Sequence, residues 1–157
     1  MSQDYGVKRP ARQVRVYNRQ SQIEVSAKFT DLLENLGELT LGILEERYLA
    51  RVRMPESVQV SLVDDEEISR VHAQFMDNPD PTDVITFPYG DDGEILISVE
   101  TAERQAREYK SSFDREITLY LVHGLLHLAG YDDSSEVARG EMEELQEALV
   151  SELLEGE

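Results

Sequence analysis

The longest run of this sequence without an acidic or basic residue limits the possible folds more than any other feature. It covers residues 117–131 and reads ITLYLVHGLLHLAGY. The run is too short to cross a membrane as a helix. Together with the residues before it, the apolar pattern predicts a helix over residues 113–129. We expect this helix to end at Gly130, where a left-handed turn redirects the chain.

Apolar spacing assigns the rest of the chain to further strands and helices. We expect strands around residues 14–16 and over 57–63, 84–89 and 94–99, and helices over 27–49, from 64 to the DNPDP loop, over 100–109 and over 135–154. The last two strands form a hairpin through the turn YGDDG, in which Gly90 and Gly93 are free to take positive φ. The helix before DNPDP presents one face to the core, made of Ile68, Val71, His72 and Phe75.

The order of these elements determines the predicted fold class. The order β, α, β, α, β, β, α, α, α predicts an α/β (α+β) fold with a single mixed sheet of about four strands and helices packed against it. A chain of 157 residues can bury one complete core, so we expect one domain over residues 13–157 after a flexible tail of residues 1–12. The N-terminal segment has no apolar stretch, and the protein is therefore predicted to be cytoplasmic, without a membrane anchor.

Composition restricts both the ligands and the partners of the chain. No cysteine is present, so any metal ion must be held by His, Asp or Glu, and a reducing compartment is compatible with this usage. The formal net charge of -18 argues against broad electrostatic attraction to nucleic acid, because phosphate binding ordinarily requires a basic surface. Five of the 15 Lys and Arg residues lie in the first 19 positions, which leaves room for a local basic face.

Two histidines within the predicted helix over residues 113–129 are the first candidates for function. His123 and His127 are four positions apart, so their side chains lie on the same helix face and can converge on one ion. After Gly130 the chain can return Asp133 to the same point, which gives the pattern H-x-x-x-H-x-x-G-x-x-D. Three ligands with one open coordination position are typical of a metal site that activates water, so the pattern predicts a metal-dependent hydrolase at the end of a long helix.

The third ligand has two competing interpretations. Asp133 lies three residues before Glu136, as the N-cap of the last helix does in a capping box, so a capping role is nearly as good an explanation as metal binding. The neighbouring Asp132 can exchange roles with it. An isolated pair of histidines on an apolar helix is usually packed in the core, but the position of Gly130 and the oxygen ligand that follows favour a metal site.

Three motifs of the chain are similar to those of a known family. The segment HGLLHLAGYDD closely resembles the hallmark H-G-x-L-H-L-x-G-Y-D-H of the YbeY family of metal-dependent endoribonucleases, also described as rRNA maturation factors. A second family motif, P-T-D-V-L-S-F-P, is matched by PTDVITFP at residues 81–88, and the following G-D-I-x-I-S is matched by GEILIS at residues 93–98. The motifs occur in family order, and the resemblance extends over residues 58–149.

The resemblance implies an activity, a cofactor and partners. It implies a YbeY-like metallohydrolase domain that cleaves RNA phosphodiester bonds in ribosomal RNA maturation and ribosome quality control. One divalent ion, zinc, would be held by His123, His127 and Asp133, and water activated by the metal would attack phosphorus, with the two histidines counted as catalytic residues. The implied partners are ribosomal RNA and ribosome-associated proteins. We expect a monomer that does not act at a membrane.

Several positions depart from the family pattern. Asp133 replaces the third family His, which would lower the net charge of the metal centre and make its bound water less acidic. The family tends to place Arg and then Lys in the loop before P-T-D-V, where this chain has Met76 and Asp80, so a phosphate-binding pair is missing. Glu94 replaces the Asp of G-D-I. His72 occupies the position of a family Asn, and its place on an apolar helix face favours packing.

Other functions are compatible with parts of the pattern. The missing basic pair and the acidity of the chain are consistent with a ribosome-associated binding factor whose metal site is structural or vestigial. Two His and one carboxylate also hold Fe(II) in non-haem oxygenases, although those enzymes need a cosubstrate pocket that no sequence pattern indicates. A peptidase is disfavoured, because Gly124 stands where the metzincin zinc proteases have their general-base Glu.

Overall fold

The computed structural model of the protein describes residues 11–76 and 82–155. This part of the chain forms four strands and five helices in the order that the sequence predicts. The strands are Gln13–Asn18 (β1), Ser57–Val63 (β2), Val84–Tyr89 (β3) and Asp92–Ser98 (β4), and the helices are Ala27–Glu46 (α1), Asp65–Met76 (α2), Val99–Glu108 (α3), Phe113–Leu128 (α4) and Glu136–Glu155 (α5).

The four strands form one mixed sheet, which confirms the predicted fold class. Their spatial order is β1-β2-β4-β3. The pairs β1-β2 and β2-β4 are parallel, whereas β3 and β4 pair antiparallel as the predicted hairpin. The hairpin turn uses Gly90 at a φ of 72°, a conformation that glycine adopts without steric strain. The outermost strands are β1 and β3.

Helices cover both faces of the sheet and create two apolar cores. The larger core lies between one face of the sheet and α1, α4 and α5, and Leu121 and Leu125 of α4 are fully buried in it. The smaller core lies on the opposite face beneath α2, where Ile68 and Val71 pack against residues of three strands. The helix that carries both predicted histidine ligands is therefore held inside the larger core.

Two glycines allow α4 to lie unusually close to the sheet. A Cβ atom on Gly124 would be 2.9 Å from Cδ1 of Ile95, and one on Gly93 would be 2.8 Å from Cδ1 of Leu128. Real Cβ atoms essentially never approach other heavy atoms this closely, so larger residues at either position would push the helix and sheet apart. The prediction that Gly93 takes positive φ in the hairpin turn is wrong, because Gly93 lies within β4 and serves this close approach.

The structure corrects one further prediction. Phe75, expected in the core, is 61% exposed, because it lies in the last turn of α2 and its ring packs edge-on against Phe87 of β3. Of the predicted flexible tail, residues 1–10 lie outside the described residues, but Arg12 is anchored by hydrogen bonds to Pro55 and Glu45. Within the described residues, no helix combines the length and apolar character that crossing a membrane requires.

Candidate metal centre

The two predicted histidines meet on one side of α4. The Nε2 atoms of His123 and His127 are 3.1 Å apart, and their rings are nearly perpendicular, with centroids separated by 4.6 Å. Both side chains are half-buried. As the sequence predicts, the spacing of four residues directs one nitrogen of each ring at the same point.

The other nitrogen of each ring is held by a partner outside the pair. Nδ1 of His127 lies 3.0 Å from the backbone oxygen of Tyr131, and Nδ1 of His123 lies 2.7 Å from Oε1 of Gln146 on α5. A carbonyl oxygen only accepts hydrogen bonds, so Nδ1 of His127 carries the proton and Nε2 presents a lone pair. Metal-binding histidines usually donate their second ring N–H to such partners, which fix the tautomer and orientation of the ring.

The donor set fits a divalent cation such as zinc. Two nitrogen ligands of a tetrahedral zinc ion, each about 2.0–2.1 Å from the metal, lie about 3.3 Å apart. The observed separation of 3.1 Å between the Nε2 atoms is close to that value. Two lone pairs that face each other at this distance repel unless a cation or a proton lies between them.

The turn after α4 fixes the backbone oxygen of Tyr131, which accepts the hydrogen bond from Nδ1 of His127. The N–H of Gly130 donates to the oxygen of His127 at 3.0 Å, and the N–H of Tyr131 donates to the oxygen of Leu126 at 3.0 Å, which together form a Schellman motif. Gly130 has a φ of 101°, the left-handed conformation that the sequence predicts. Because Tyr131 also anchors its hydroxyl on the oxygen of Leu49 at 2.8 Å, its carbonyl is fixed against the imidazole of His127.

The protonation equilibrium of His127 favours metal binding. Burial lowers its pKa below the ordinary value and the neighbouring His123 lowers it further, while the Tyr131 carbonyl, Asp133 and Asp132 act in the opposite direction. The imidazole of His127 is therefore neutral at neutral pH. The neutral ring is the form that binds a metal ion.

The structure decides one of the two interpretations of Asp133, its role as a helix cap. The N-cap of α5 is Ser135, whose Oγ accepts from the N–H of Ala138 at 3.1 Å, so the prediction that Asp133 caps this helix is wrong. Asp132 closes a local turn by accepting from the N–H and hydroxyl of Ser134. Asp133 is exposed, and its assignment as the third ligand stays a prediction.

The described residues do not bring a complete ligand set together. No group of three His, Asp or Glu side chains in residues 11–76 and 82–155 is arranged to hold a metal ion, so the histidine pair stands without Asp133 in this geometry. His72 is half-buried on α2. Of the two positions where the family has basic residues, Met76 ends α2 with 48% of its surface exposed, and Asp80 lies outside the described residues.

Sequence reasoning missed two partners of the site. The carbonyl of Tyr131 and the amide of Gln146 were not predicted, because each acts through a backbone atom or a distant helix. One signal for Gln146 is present in the sequence: this polar residue interrupts the apolar face of α5 formed by Met142, Leu149 and Leu153. A buried polar side chain needs a hydrogen-bond partner, and here the partner is a candidate ligand.

The fold and the histidine pair define an α/β domain with a candidate mononuclear metal centre, and comparisons identify its family. The profile of the family described as Endoribonuclease YbeY matches residues 15–154. Endoribonuclease YbeY of Heliobacterium modesticaldum is 39% identical over 139 residues, which cover 75% of this chain and 84% of that protein. The protein of the same name from Carboxydothermus hydrogenoformans is 34% identical over 144 residues, covering 88% and 95%. The chain therefore belongs to the YbeY endoribonuclease family.

A solved structure supports the same assignment. The solution structure of TM1509 from Thermotoga maritima is similar with a TM-score of 0.59 and 33% sequence identity, and the match covers 89% of this chain and 88% of that chain. The likeness extends over nearly the whole length of both molecules. The two proteins therefore share the fold.

Proposed function

We propose that this protein is a metal-dependent endoribonuclease that acts in ribosomal RNA maturation and ribosome quality control. Membership of the YbeY family supports the reaction class. The single observation that carries the metal-dependent part is the convergence of the two Nε2 atoms at 3.1 Å, with each Nδ1 held by a separate partner. The cofactor in this proposal is one divalent ion, zinc, because nitrogen ligands in a tetrahedral arrangement suit that metal.

His123 and His127 would hold the ion, and Asp133 is the proposed third ligand. The exposed loop of Asp133 follows directly after the Schellman turn, so the carboxylate can approach the histidines without disturbing α4. A bound zinc ion supplies a Lewis acid that acidifies water and offsets negative charge on a phosphoryl group. The protein's own contribution is to hold two imidazoles in place on a buried helix.

The acidity of the chain bears on how it would meet its substrate. A net charge of -18 opposes binding to free RNA, because two polyanions repel each other. We therefore propose that the partners are ribosomal RNA together with ribosome-associated proteins, whose basic surfaces offset this repulsion. In this proposal the protein acts as a monomer, and a cytoplasmic location follows from the proposed ribosomal substrate.

Metal analysis and RNA cleavage test the proposal together. Purified protein should contain about one zinc ion per chain and cleave ribosomal RNA, and His127→Ala should lose both the ion and the activity. The matched control is His72→Ala, which removes the third histidine of the chain and should keep the zinc content. Undiminished cleavage by His127→Ala, or equal zinc loss in the two variants, would contradict the proposal.

A second candidate is a ribosome-associated binding factor with a structural or vestigial metal site. The observation that favours it is the absence of the basic pair, since Met76 and Asp80 stand where the family tends to have Arg and Lys. Chelation distinguishes the two functions. A loss of thermal stability on chelation, in a protein that binds ribosomes but never cleaves RNA, would favour the binding factor.

A further inference from the structure

Gln146 is a buried polar residue on the inner face of α5, at a position where an apolar residue would pack better. Gln146 is 9% exposed and lies on the same side of the helix as Met142, Leu149 and Val150, which are almost completely buried. Burial of an amide is unfavourable unless its polar atoms find partners. The partner of its oxygen is Nδ1 of His123 at 2.7 Å.

This hydrogen bond determines which nitrogen of His123 carries the proton. An amide oxygen only accepts, so the proton resides on Nδ1 and the lone pair of Nε2 points towards His127. Each histidine of the pair thus has one acceptor on its Nδ1 side, a side-chain amide for His123 and a backbone carbonyl for His127. Only the acceptor of His123 can be removed by a substitution.

The opposite orientation of the Gln146 amide would prevent the histidine pair from binding a metal ion. The NH₂ group would then face Nδ1 of His123, which would move the imidazole proton to Nε2. At a separation of 3.1 Å, that Nε2–H would donate to the lone pair of His127, and the pair would satisfy itself without a cation. The orientation of the Gln146 amide therefore determines whether the two histidines can bind a metal ion or form a hydrogen bond with each other.

We propose that Gln146 is a positioning residue that holds His123 in the metal-binding tautomer and thereby sets the affinity of the site for zinc. This inference rests on the metal site in the proposed function. It also connects the site to the packing of α5, because the amide reaches His123 only when that helix is docked on α4. Outer partners of metal-binding histidines typically change metal affinity about 10- to 100-fold when removed.

The first experiment reads the tautomer directly in metal-free protein. In ¹⁵N-histidine-labelled protein at about pH 8, above the ordinary histidine pKa of about 6.5, His123 should carry its proton on Nδ1. Gln146→Leu removes the acceptor at similar volume and should move that proton towards Nε2. The matched control is Gln105→Leu on α3, a half-buried glutamine away from both histidines, which should leave the tautomer of His123 unchanged.

The second experiment measures the zinc dissociation constant of the same proteins. Gln146→Leu should bind zinc about 10- to 100-fold more weakly, whereas Gln105→Leu should match the wild type. Gln146→Glu keeps an acceptor opposite Nδ1, so it should preserve the tautomer and bind zinc at least as tightly as the wild type. This variant also decides the matter if Gln146→Leu fails to fold.

Two outcomes would overturn the role of Gln146. One is that Gln146→Leu keeps the proton of His123 on Nδ1 and binds zinc with the same affinity as the Gln105→Leu control. The other is loss of that tautomer in Gln146→Glu. Failure of the proposed function itself is recognised separately, because a wild type without zinc uptake or RNA cleavage still reports its tautomer in the metal-free measurement.

Discussion

Two polar clusters of this protein differ in whether they are complete within the chain. At the start of α2, the carboxylate of Asp65 accepts hydrogen bonds from the hydroxyls of Ser98 and Thr101 at 2.6 and 2.9 Å and from Arg104 at 2.6 Å. Burial opposes its ionisation, but the donors outweigh burial, and the pKa of Asp65 lies below its ordinary value. Both carboxylate oxygens of Asp65 accept hydrogen bonds from donors within the protein.

The histidine pair on α4 is also oriented by hydrogen bonds, but these satisfy only one nitrogen of each ring. Both Nδ1 atoms have acceptors, whereas the two Nε2 atoms face each other across 3.1 Å. The complete cluster joins α2 to α3 and stabilises the fold, while the incomplete one has a geometry that a cation would satisfy. Ring nitrogens left without a donor, in a site whose other polar atoms are paired, therefore mark the histidine pair as the candidate for function.

The largest expected effect is a stabilisation by zinc that depends on the histidine pair. Free zinc at about 100 times its dissociation constant should raise the free energy of unfolding by about 2.7 kcal/mol, measured by thermal or denaturant unfolding. His123→Ala should abolish this response. Arg104→Ala, which weakens the complete cluster, should lower stability but keep the full zinc response, and the comparison fails if zinc stabilises both variants equally.

The turn that serves the histidine pair should be sensitive to one methyl group. Gly130→Ala forces a Cβ atom into a φ of 101° and within 3.0 Å of Cβ of Arg51, so we expect a loss of about 2 kcal/mol in the free energy of unfolding. Gly140→Ala is the matched control, because Gly140 lies within α5 and a Cβ atom there would meet nothing within 4 Å. It should stabilise by about 0.5–1 kcal/mol. A neutral Gly130→Ala would show that the turn does not require glycine.

The third prediction separates the two neighbouring carboxylates. Asp133→Ala should weaken zinc binding by at least about tenfold, while stability without metal should change by less than about 0.5 kcal/mol because the side chain is exposed. Asp132→Ala removes the turn to Ser134 and should leave zinc affinity near that of the wild type. Isothermal titration of both variants decides the assignment, and the reverse result would move the third ligand to Asp132.

The smallest expected effect is a pH dependence that belongs to the complete cluster. Because the pKa of Asp65 is lowered in the folded state from its ordinary value of 3.8, its ion pair stabilises the fold above about pH 4 and loses that contribution as pH falls through the lowered pKa. Since the pair with Arg104 is partly exposed, Asp65→Asn should cost only about 1 kcal/mol at neutral pH. Urea unfolding from pH 7 to 3 should show a smaller acid loss in the variant, and parallel curves would exclude this role.

Features that depend on neighbouring residues were predictable from the sequence. The four-residue spacing of His123 and His127, the glycine that ends α4 and the hairpin of β3 and β4 each follow from backbone geometry over a few residues. Local competition already limits such reasoning, since Ser135 caps α5 although Asp133 also has suitable spacing. Phe75 follows the helical period of an apolar face, but its ring meets Phe87 of β3 edge-on and stays 61% exposed.

The order and types of the elements, the mixed character of the sheet and the pair of histidines on one helix face all followed from the amino-acid sequence. The position of β4 between β2 and β3 became visible in the folded protein alone. The same is true of Gln146, which lies 23 positions from His123 and supplies the acceptor for its Nδ1. The side-chain pattern of a helix or strand repeats every two to four residues, so it can be recognised in the local sequence. The partner of a buried polar atom depends on which distant elements pack together, and that choice is made by burial of the whole core.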